Sequence, residues 1–205
     1  MPNWCQNSIV IPTHAVKNFK RKFCSQTLNK STGRVRHYLD FNRIIRQPVG
    51  IFKGDIGYAE RKKYPLNWYD WNTDNWGTKW NACQTEFHLI ENGLFTQITF
   101  DTAWNPPVDE MFYRMTKRLR IATLEHSWLE EGCYFWGTNE YEGCDVPEDD
   151  PFAVNGVYKN EMDETEEQYR YVVERFYGAS EYADELVARF NGTWVDEDEE
   201  EGQAA

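Results

Sequence analysis

Two alternating segments, TEFHLI at 85–90 and FTQITFD at 95–101, flank Glu91-Asn92-Gly93-Leu94, and no other feature of the chain restricts its fold as strongly. Alternation at every second residue marks strands with one buried face. Asn-Gly in a short connection supplies the positive-φ positions that a tight hairpin requires. An antiparallel hairpin is therefore expected near the middle of the chain, and the segments on either side have to fold around it.

Upstream, the apolar IVI at 9–11 reads as a short strand. Thr13 is a suitable N-cap, and Val16, Phe19 and Phe23 recur at helical spacing beside Lys17, Lys20, Arg21 and Lys22, which gives a basic amphipathic helix. LDFNRIIRQP at 39–48 reads as extended chain ending at a proline. Downstream, NPPVDEMFYRMTKRLR at 105–120 is a helix: Pro107 lies near its first position, Asp109 and Glu110 in its first turn, and Lys117, Arg118 and Arg120 in its last. Val108, Met111, Phe112, Met115 and Leu119 line its apolar face. ATLEHSW at 122–128 alternates with Ala122, Leu124, His126 and Trp128 on one side, Glu131-Gly132 turns the chain, and CYFWGT at 133–138 returns as a strand. Strand, helix, hairpin, helix and strand, plus one added strand, describe an α+β ferredoxin-like antiparallel sheet over residues 1–143, with helices on one face.

The Trp-rich stretch NWYDWNTDNWGTKWNACQTEFHLI at 67–90 falls within an insertion at 50–84. Trp68, Trp71, Trp76 and Trp80 share neither a 2-residue nor a 3.6-residue period, so a structured loop leading into a strand is expected. Two roles compete for it. Trp76, Lys79 and Trp80 could form a binding surface, with Gly77 allowing close backbone approach, a lysine cation and indole faces for stacking. Alternatively these tryptophans, with Trp4, Trp104 and Trp136, cover the edge or open face of the sheet, their N–H groups tied to local carbonyls. The architectural role is preferred.

MPNWC before the first strand, WGTKW, and TAWNPP before a helix occur in that order, and together they resemble the phage- and plasmid-encoded YubB-type family, whose members carry a ferredoxin-like domain. The likeness spans roughly residues 1–140. It implies the fold, a mobile-element origin and an intracellular setting, and it brings no catalytic residues. The long acidic end after Gly143 departs from it.

Charge is distributed unevenly along the chain. Residues 1–80 hold 14 Lys/Arg against 5 Asp/Glu, whereas 122–205 hold 4 against 24, within a formal net charge of -12. DEDEEE at 196–201 belongs to an expected disordered tail at 196–205. Residues 144–195 instead carry helical apolar stripes and are expected to form an acidic helical hairpin. Asp163 with Glu166 fits a capping box, Tyr169, Val172, Val173 and Phe176 form one stripe, and Gly178 stops the helix. Ser180 caps a second helix with Tyr182, Leu186, Val187 and Phe190 inward, ended by Asn191-Gly192. The hairpin would then carry Asp163, Glu164, Glu166, Glu167, Glu174, Glu181, Asp184 and Glu185 while docking on something apolar. With Glu161 these carboxylates average about one per ~4 Å of helix contour, near the ~3.4 Å charge spacing of a single DNA strand. They are the expected partner-binding residues, and a nucleic-acid-mimicking surface is physically open to them. A solvated outer face is the plainer reading.

Catalytic patterns are thin. His14, His37, His88 and His126 form no H-x-x-x-H or H-E-x-x-H, and phosphate-binding glycine loops and a G-x-S-x-G elbow are missing. Catalytic residues, metal ligands and cofactors are therefore all expected to be none. Cys5, Cys24, Cys83, Cys133 and Cys144 form no C-x-x-C pair, MPNWCQNSIV has no signal-peptide character, and no apolar run approaches the ~20 residues of a membrane span. Reduced, mostly buried thiols in a cytoplasmic host-cell setting are expected. The functional expectation is a non-enzymatic accessory protein of a phage or similar element that binds and modulates a host nucleic-acid-handling or defence protein. Direct nucleic-acid binding is disfavoured by the overall acidity and the missing RNP1 pattern. An RNA- or DNA-binding ferredoxin-like module and an enzyme without a recognisable motif are the alternatives.

Overall fold

A computed structural model describes residues 3–28, 30, 32–133, 135–143, 157–161 and 165–190; at 157–161 only the strand itself is described. The elements in chain order are β1 (Trp4–Pro12), α1 (Val16–Phe23), β2 (Cys24–Leu28), β3 (Val35–Leu39), α2 (Tyr58–Lys63), α3 (Trp68–Trp76), β4 (Cys83–Ile90), β5 (Phe95–Ala103), α4 (Asp109–Leu119), β6 (Thr123–Glu130), β7 (Trp136–Gly143), β8 (Val157–Glu161), α5 (Glu166–Tyr177) and α6 (Glu181–Phe190). Strands β4-β5-β1-β6-β7-β8 form one six-stranded sheet with every neighbouring pair antiparallel, and β2 pairs with β3 in a separate two-stranded sheet. The four strands β4-β5-β1-β6, with α1 and α4 as their crossovers, are the ferredoxin-like core. Strands β7 and β8 widen the sheet beyond β6, so it continues past Gly143.

The hairpin forms as its sequence dictates. Ile90 pairs with Phe95, and Glu91, Asn92 and Gly93 take φ of 48°, 54° and 86°. Strand alternation then sorts side chains into two layers. Ile9, Ile11, Ile98, Phe100, Leu124 and Tyr141 face Phe19 and Phe23 of α1 and Met111, Phe112 and Met115 of α4, so both helices lie on one face as expected. The opposite face is covered too. Leu129 packs with Tyr169, Val172 and Val173 of α5 and Ala183, Leu186 and Val187 of α6. The apolar stripe of the C-terminal helices docks on the back of the sheet.

Several local expectations are corrected. Thr13 does not cap α1; it opens a 3-10 turn, and its hydroxyl bonds the Thr96 hydroxyl at 3.0 Å. The segment at 39–48 is not extended, because Asp40 accepts from the Asn42 amide and winds Phe41–Arg43 into a 3-10 turn. The returning strand begins at Trp136, after a turn in which the Cys133 amide bonds the Glu130 carbonyl. The tryptophan stretch is not a loop. Asn67 accepts from the Asp70 amide as an N-cap, Gly77 closes the helix in the left-handed conformation, and Trp68, Trp71 and Trp76 sit on α3 between them. Trp80 lies beyond that cap, so a period sought across all four indoles spans a helix end.

The three quoted motifs meet at one end of the sheet. Trp4 pairs with Ala103, and the Trp104 amide donates to the Asn3 carbonyl. The Val108 amide donates to the Trp76 carbonyl, and the Thr78 hydroxyl to the Ala103 carbonyl. Gly77 stands at φ 78°, where a Cβ would come within 2.9 Å of Val108 Cγ1 and 3.2 Å of the Pro106 carbonyl. Gly33 also has positive φ, 65°, but nothing lies within 4 Å of its Cβ position. A left-handed non-glycine residue costs about 1–3 kcal/mol. Gly77→Ala is expected to lower the melting temperature clearly more than Gly33→Ala, since backbone collision adds to strain only at Gly77. Equal losses in parallel thermal melts would contradict the close approach of WGTKW to TAWNPP.

Candidate functional site

Each helix of the C-terminal pair is capped by a side chain. Thr165 accepts from the Gln168 amide at 3.3 Å and starts α5, replacing the Asp163–Glu166 capping box. Ser180 caps α6, as expected, by accepting from the Ala183 amide at 3.3 Å. Tyr182 and Phe190 are not interior, being 48% and 43% exposed. Their rings lie along the seam, Tyr182 edge-on to Tyr177 and Phe190 against Tyr169 and Trp136. Trp136 thus belongs to this layer and not to the cluster holding Trp4 and Trp104.

A polar clasp fixes α5 against the sheet. Arg175 donates to Glu125 of β6 at 2.9 Å, Tyr171 donates to the same carboxylate at 2.6 Å, and Gln97 of β5 donates to the Arg175 carbonyl at 3.0 Å. Burial, followed by the Glu125 hydrogen bond, pushes the Tyr171 phenol up to about 12. On the outer side, Glu166, Glu167, Glu181, Asp184 and Glu185 are exposed. Arg170 bonds Asp184 at 2.7 Å and lies 3.8 Å from Glu174, so two of the expected binding carboxylates are turned toward a cation of their own hairpin. Asp163 and Glu164 lie outside the described residues, as do Asn191-Gly192, the DEDEEE tail and Cys144. Among the described residues, Glu166, Glu167, Glu181 and Glu185 are the expected carboxylates that are exposed and not turned toward Arg170.

The second candidate surface is largely internal. Trp76 is 2% exposed, and its indole donates to the Ile45 carbonyl at 2.9 Å. Lys79 Nζ lies 4.9 Å from the ring centre of Trp80, 5.0 Å from that of Trp104 and 5.8 Å from that of Tyr69. Trp4 packs beside Trp80 at 5.9 Å. The cation is held by rings of its own chain, and each ring in the group is only partly exposed. The amides that fix this region, the buried Asn72 and the half-buried Asn81, were not singled out from sequence. Asn72 donates to the Lys79 carbonyl, and Asn81 accepts from Phe41 and Ala82 while donating to Asp40. Their signal is the density of Asn among the tryptophans, where a buried amide is costly unless bonded.

Strands β4 and β5 extend past the edge of α5 and leave a polar cleft of about 430 Å³ lined by Gln6, Gln84, Glu86, His88, Gln97, Thr99, Asp101 and Arg175, among others. Burial, followed by the charge of Glu86, raises the Asp101 carboxyl above its ordinary value. Among the described residues, no group of three or more His, Cys, Asp or Glu is placed to hold a metal ion. Burial pushes the Cys5 and Cys24 thiols up to about 12, so neither is a thiolate near neutrality. His126 is a core residue, stacked on Phe112 and 3.1 Å from Asn7 Oδ1.

Fold and surface together define a ferredoxin-like α+β module carrying an acidic helical layer on the back of its sheet. Residues 75–172 match the family model described as the ferredoxin-like domain in Api92-like protein, from the end of α3 into α5. Over 75 residues the chain is 36% identical to the uncharacterized protein YubB of Escherichia coli (strain K12); the stretch is 36% of this chain and spans half the length of that curated relative. Both matches are likenesses to YubB/Api92-type proteins over part of the chain. A crystal structure of protein api92 from Yersinia pseudotuberculosis superposes with a TM-score of 0.47 at 11% identity, covering 80% of this chain and 99% of that one. No described helix is long and apolar enough to cross a membrane.

Asp101 gives a pH-dependent test of the cleft. Its folded-state pKa is raised, so between its ordinary value of 3.8 and that raised value the folded state holds more protons than the unfolded state. Its contribution to stability therefore falls as pH rises through that window. Asp101→Asn is expected to melt higher than the parent at pH 7, with the difference vanishing below pH 3.8. A variant that melts lower than the parent at pH 7 would contradict the assignment.

Proposed function

We propose that this chain is a non-enzymatic accessory protein of a phage or similar mobile element. It acts in the host cytoplasm by binding a host nucleic-acid-handling or defence protein through the outer face of α5–α6. The observation that carries this reading is the division of labour within the helical pair. Val172, Val173, Ala183, Leu186 and Val187 are consumed against the sheet, while Glu166, Glu167, Glu181 and Glu185 face outward on a rigidly clasped support. Such a face suits a basic protein surface, and held carboxylates lose less freedom on binding than those of a loose tail. The motif resemblance to the YubB-type family supports the mobile-element origin. With four dispersed carboxylates among its described residues, the face suits a basic surface, with mimicry of a continuous phosphate backbone as its extreme form.

Glu166, Glu167 and Glu185 are exposed, so exchanging them leaves the core untouched, although Glu166 and Glu167 stand in the first turn of α5, where reversal costs about 0.3–1 kcal/mol each against the helix dipole. Tagged parent protein is expected to retain a host protein from lysate at 0.1 M salt and release it as the Debye length falls from ~10 Å toward ~3 Å at 1 M. The triple variant Glu166→Lys, Glu167→Lys, Glu185→Lys is expected to stay folded, melting modestly below the parent, and to lose that protein. Capture that survives both the reversal and high salt would reject the acidic face as the work surface.

A further inference from the structure

The basic front of the chain folds into a cleft on the far side of the core from the acidic helices. Lys17, Lys20 and Arg21 stand at i, i+3 and i+4 on α1, the same helix whose Phe19 and Phe23 are buried beneath. The β2–β3 hairpin forms the second wall. Ser25 and Gln26 come from β2, His37 and Tyr38 from β3, and Arg43 from the turn beyond, enclosing about 650 Å³ together with Cys24. Among the described residues, the lining holds four permanent cations and no carboxylate.

Three details keep this cleft positive. Arg43 donates to the carbonyls of Arg21 at 2.7 Å and Lys22 at 3.2 Å, so the negative end of the α1 dipole is already compensated. Asp40, bonded to Ser25 of the lining, accepts from the Ser25 hydroxyl, the Asn42 amide and the Asn81 side chain. Both its oxygens are thereby engaged at the base of the hairpin. Finally, among the described residues the half-buried His37 leaves its Nδ1 without a hydrogen-bond partner, a polar atom for a ligand to satisfy. Clefts of roughly 300–1,000 Å³ enclose compact ligands. A base placed against Tyr38 in this cleft has to be unpaired, which favours a single strand over a duplex.

We infer that the α1/β2–β3 cleft binds the phosphate backbone of single-stranded nucleic acid, with Lys17 and Arg21 on the phosphates, Lys20 joining them by exchanging its place 4.1 Å from the Phe87 ring centre for a phosphate, His37 on a phosphate or sugar oxygen, and Tyr38 as a stacking face. This goes beyond the proposed protein partner and rests on different residues. It is compatible with the net charge of -12, because the acids of α5–α6 lie behind the sheet and not in the cleft. Engagement of three or four phosphates gives a salt slope of about 2–3, so affinity falls roughly 20–50-fold between 50 and 200 mM salt.

Fluorescence anisotropy with labelled single-stranded DNA and RNA oligonucleotides, the matching duplexes, and inorganic tripolyphosphate as competitor tests this on the full chain. The expected result is single-strand binding with that salt slope, weaker duplex binding, and at least a tenfold loss in Lys17→Glu/Arg21→Glu and a smaller loss in His37→Phe. Arg43 is left unchanged because it braces α1. Glu166→Lys/Glu167→Lys, on the other side of the sheet, is expected to keep oligonucleotide binding, which separates failure of the cleft from failure of the acidic face. No single-strand binding at 50 mM salt, binding unaffected by both cleft variants, duplex binding as tight as single-strand binding, or binding of tripolyphosphate alone would each overturn the assignment.

Discussion

The structure depends on the double burial of β1. This strand pairs with β5 along its whole length and with β6 over most of it, and Ile9 and Ile11 are fully buried against the α1/α4 layer. Its other side carries Gln6, Ser8 and Val10, of which Ser8 accepts from Gln97 at 3.0 Å beneath the α5 clasp. A strand buried on both faces cannot slip by one residue without exchanging its apolar and polar sides. The register of β1 therefore fixes β5, β6 and the two helical layers at once. Asn7 shows how tight the arrangement is: fully buried, it donates to the Cys5 carbonyl and to Thr102, and it meets His126 on the neighbouring strand.

From this constraint comes the separation of charge. The front layer is built from α1 and the β2–β3 hairpin, rich in Lys and Arg, while the back layer is α5–α6, rich in Glu. Because the sheet lies between them, the two surfaces do not neutralise one another by contact. A chain with acidic overall balance can thus present a basic cleft. The tryptophans belong to neither surface as a group. Trp4, Trp80 and Trp104 join the end of β1 to the WGTKW and TAWNPP segments around Lys79, and Trp136 seals the acidic layer to the sheet.

Much of the fold was legible because alternation and helical spacing are local signals. The hairpin at Asn92-Gly93, the α1 and α4 stripes, and the stripes of α5 and α6 all needed only neighbouring residues. What was hidden depended on distant partners. The α3 helix was obscured because Trp80 continued the visual pattern beyond the Gly77 cap, and Thr13 was drawn away from its capping role by Thr96, 83 positions along the chain. The acidic residues were found, but their pairing with Arg170 across the α5–α6 seam was not, since that contact joins two helices. The basic wall on α1 was visible in sequence as well. The wall facing it was not, because it needs β2 and β3 to pair back beside the helix.

Amide hydrogen exchange measures the central claim that both helical layers are integral to one fold closed around β1. The account predicts that amides of Asn7–Ile11 fall in the slowest class, and that those of Val172, Val173, Leu186 and Val187 are protected alongside them, opening with the sheet. Contradiction would come from α5 and α6 exchanging at the rate of unfolded chain while the β1 amides stay protected, which would make the acidic layer an independent appendage.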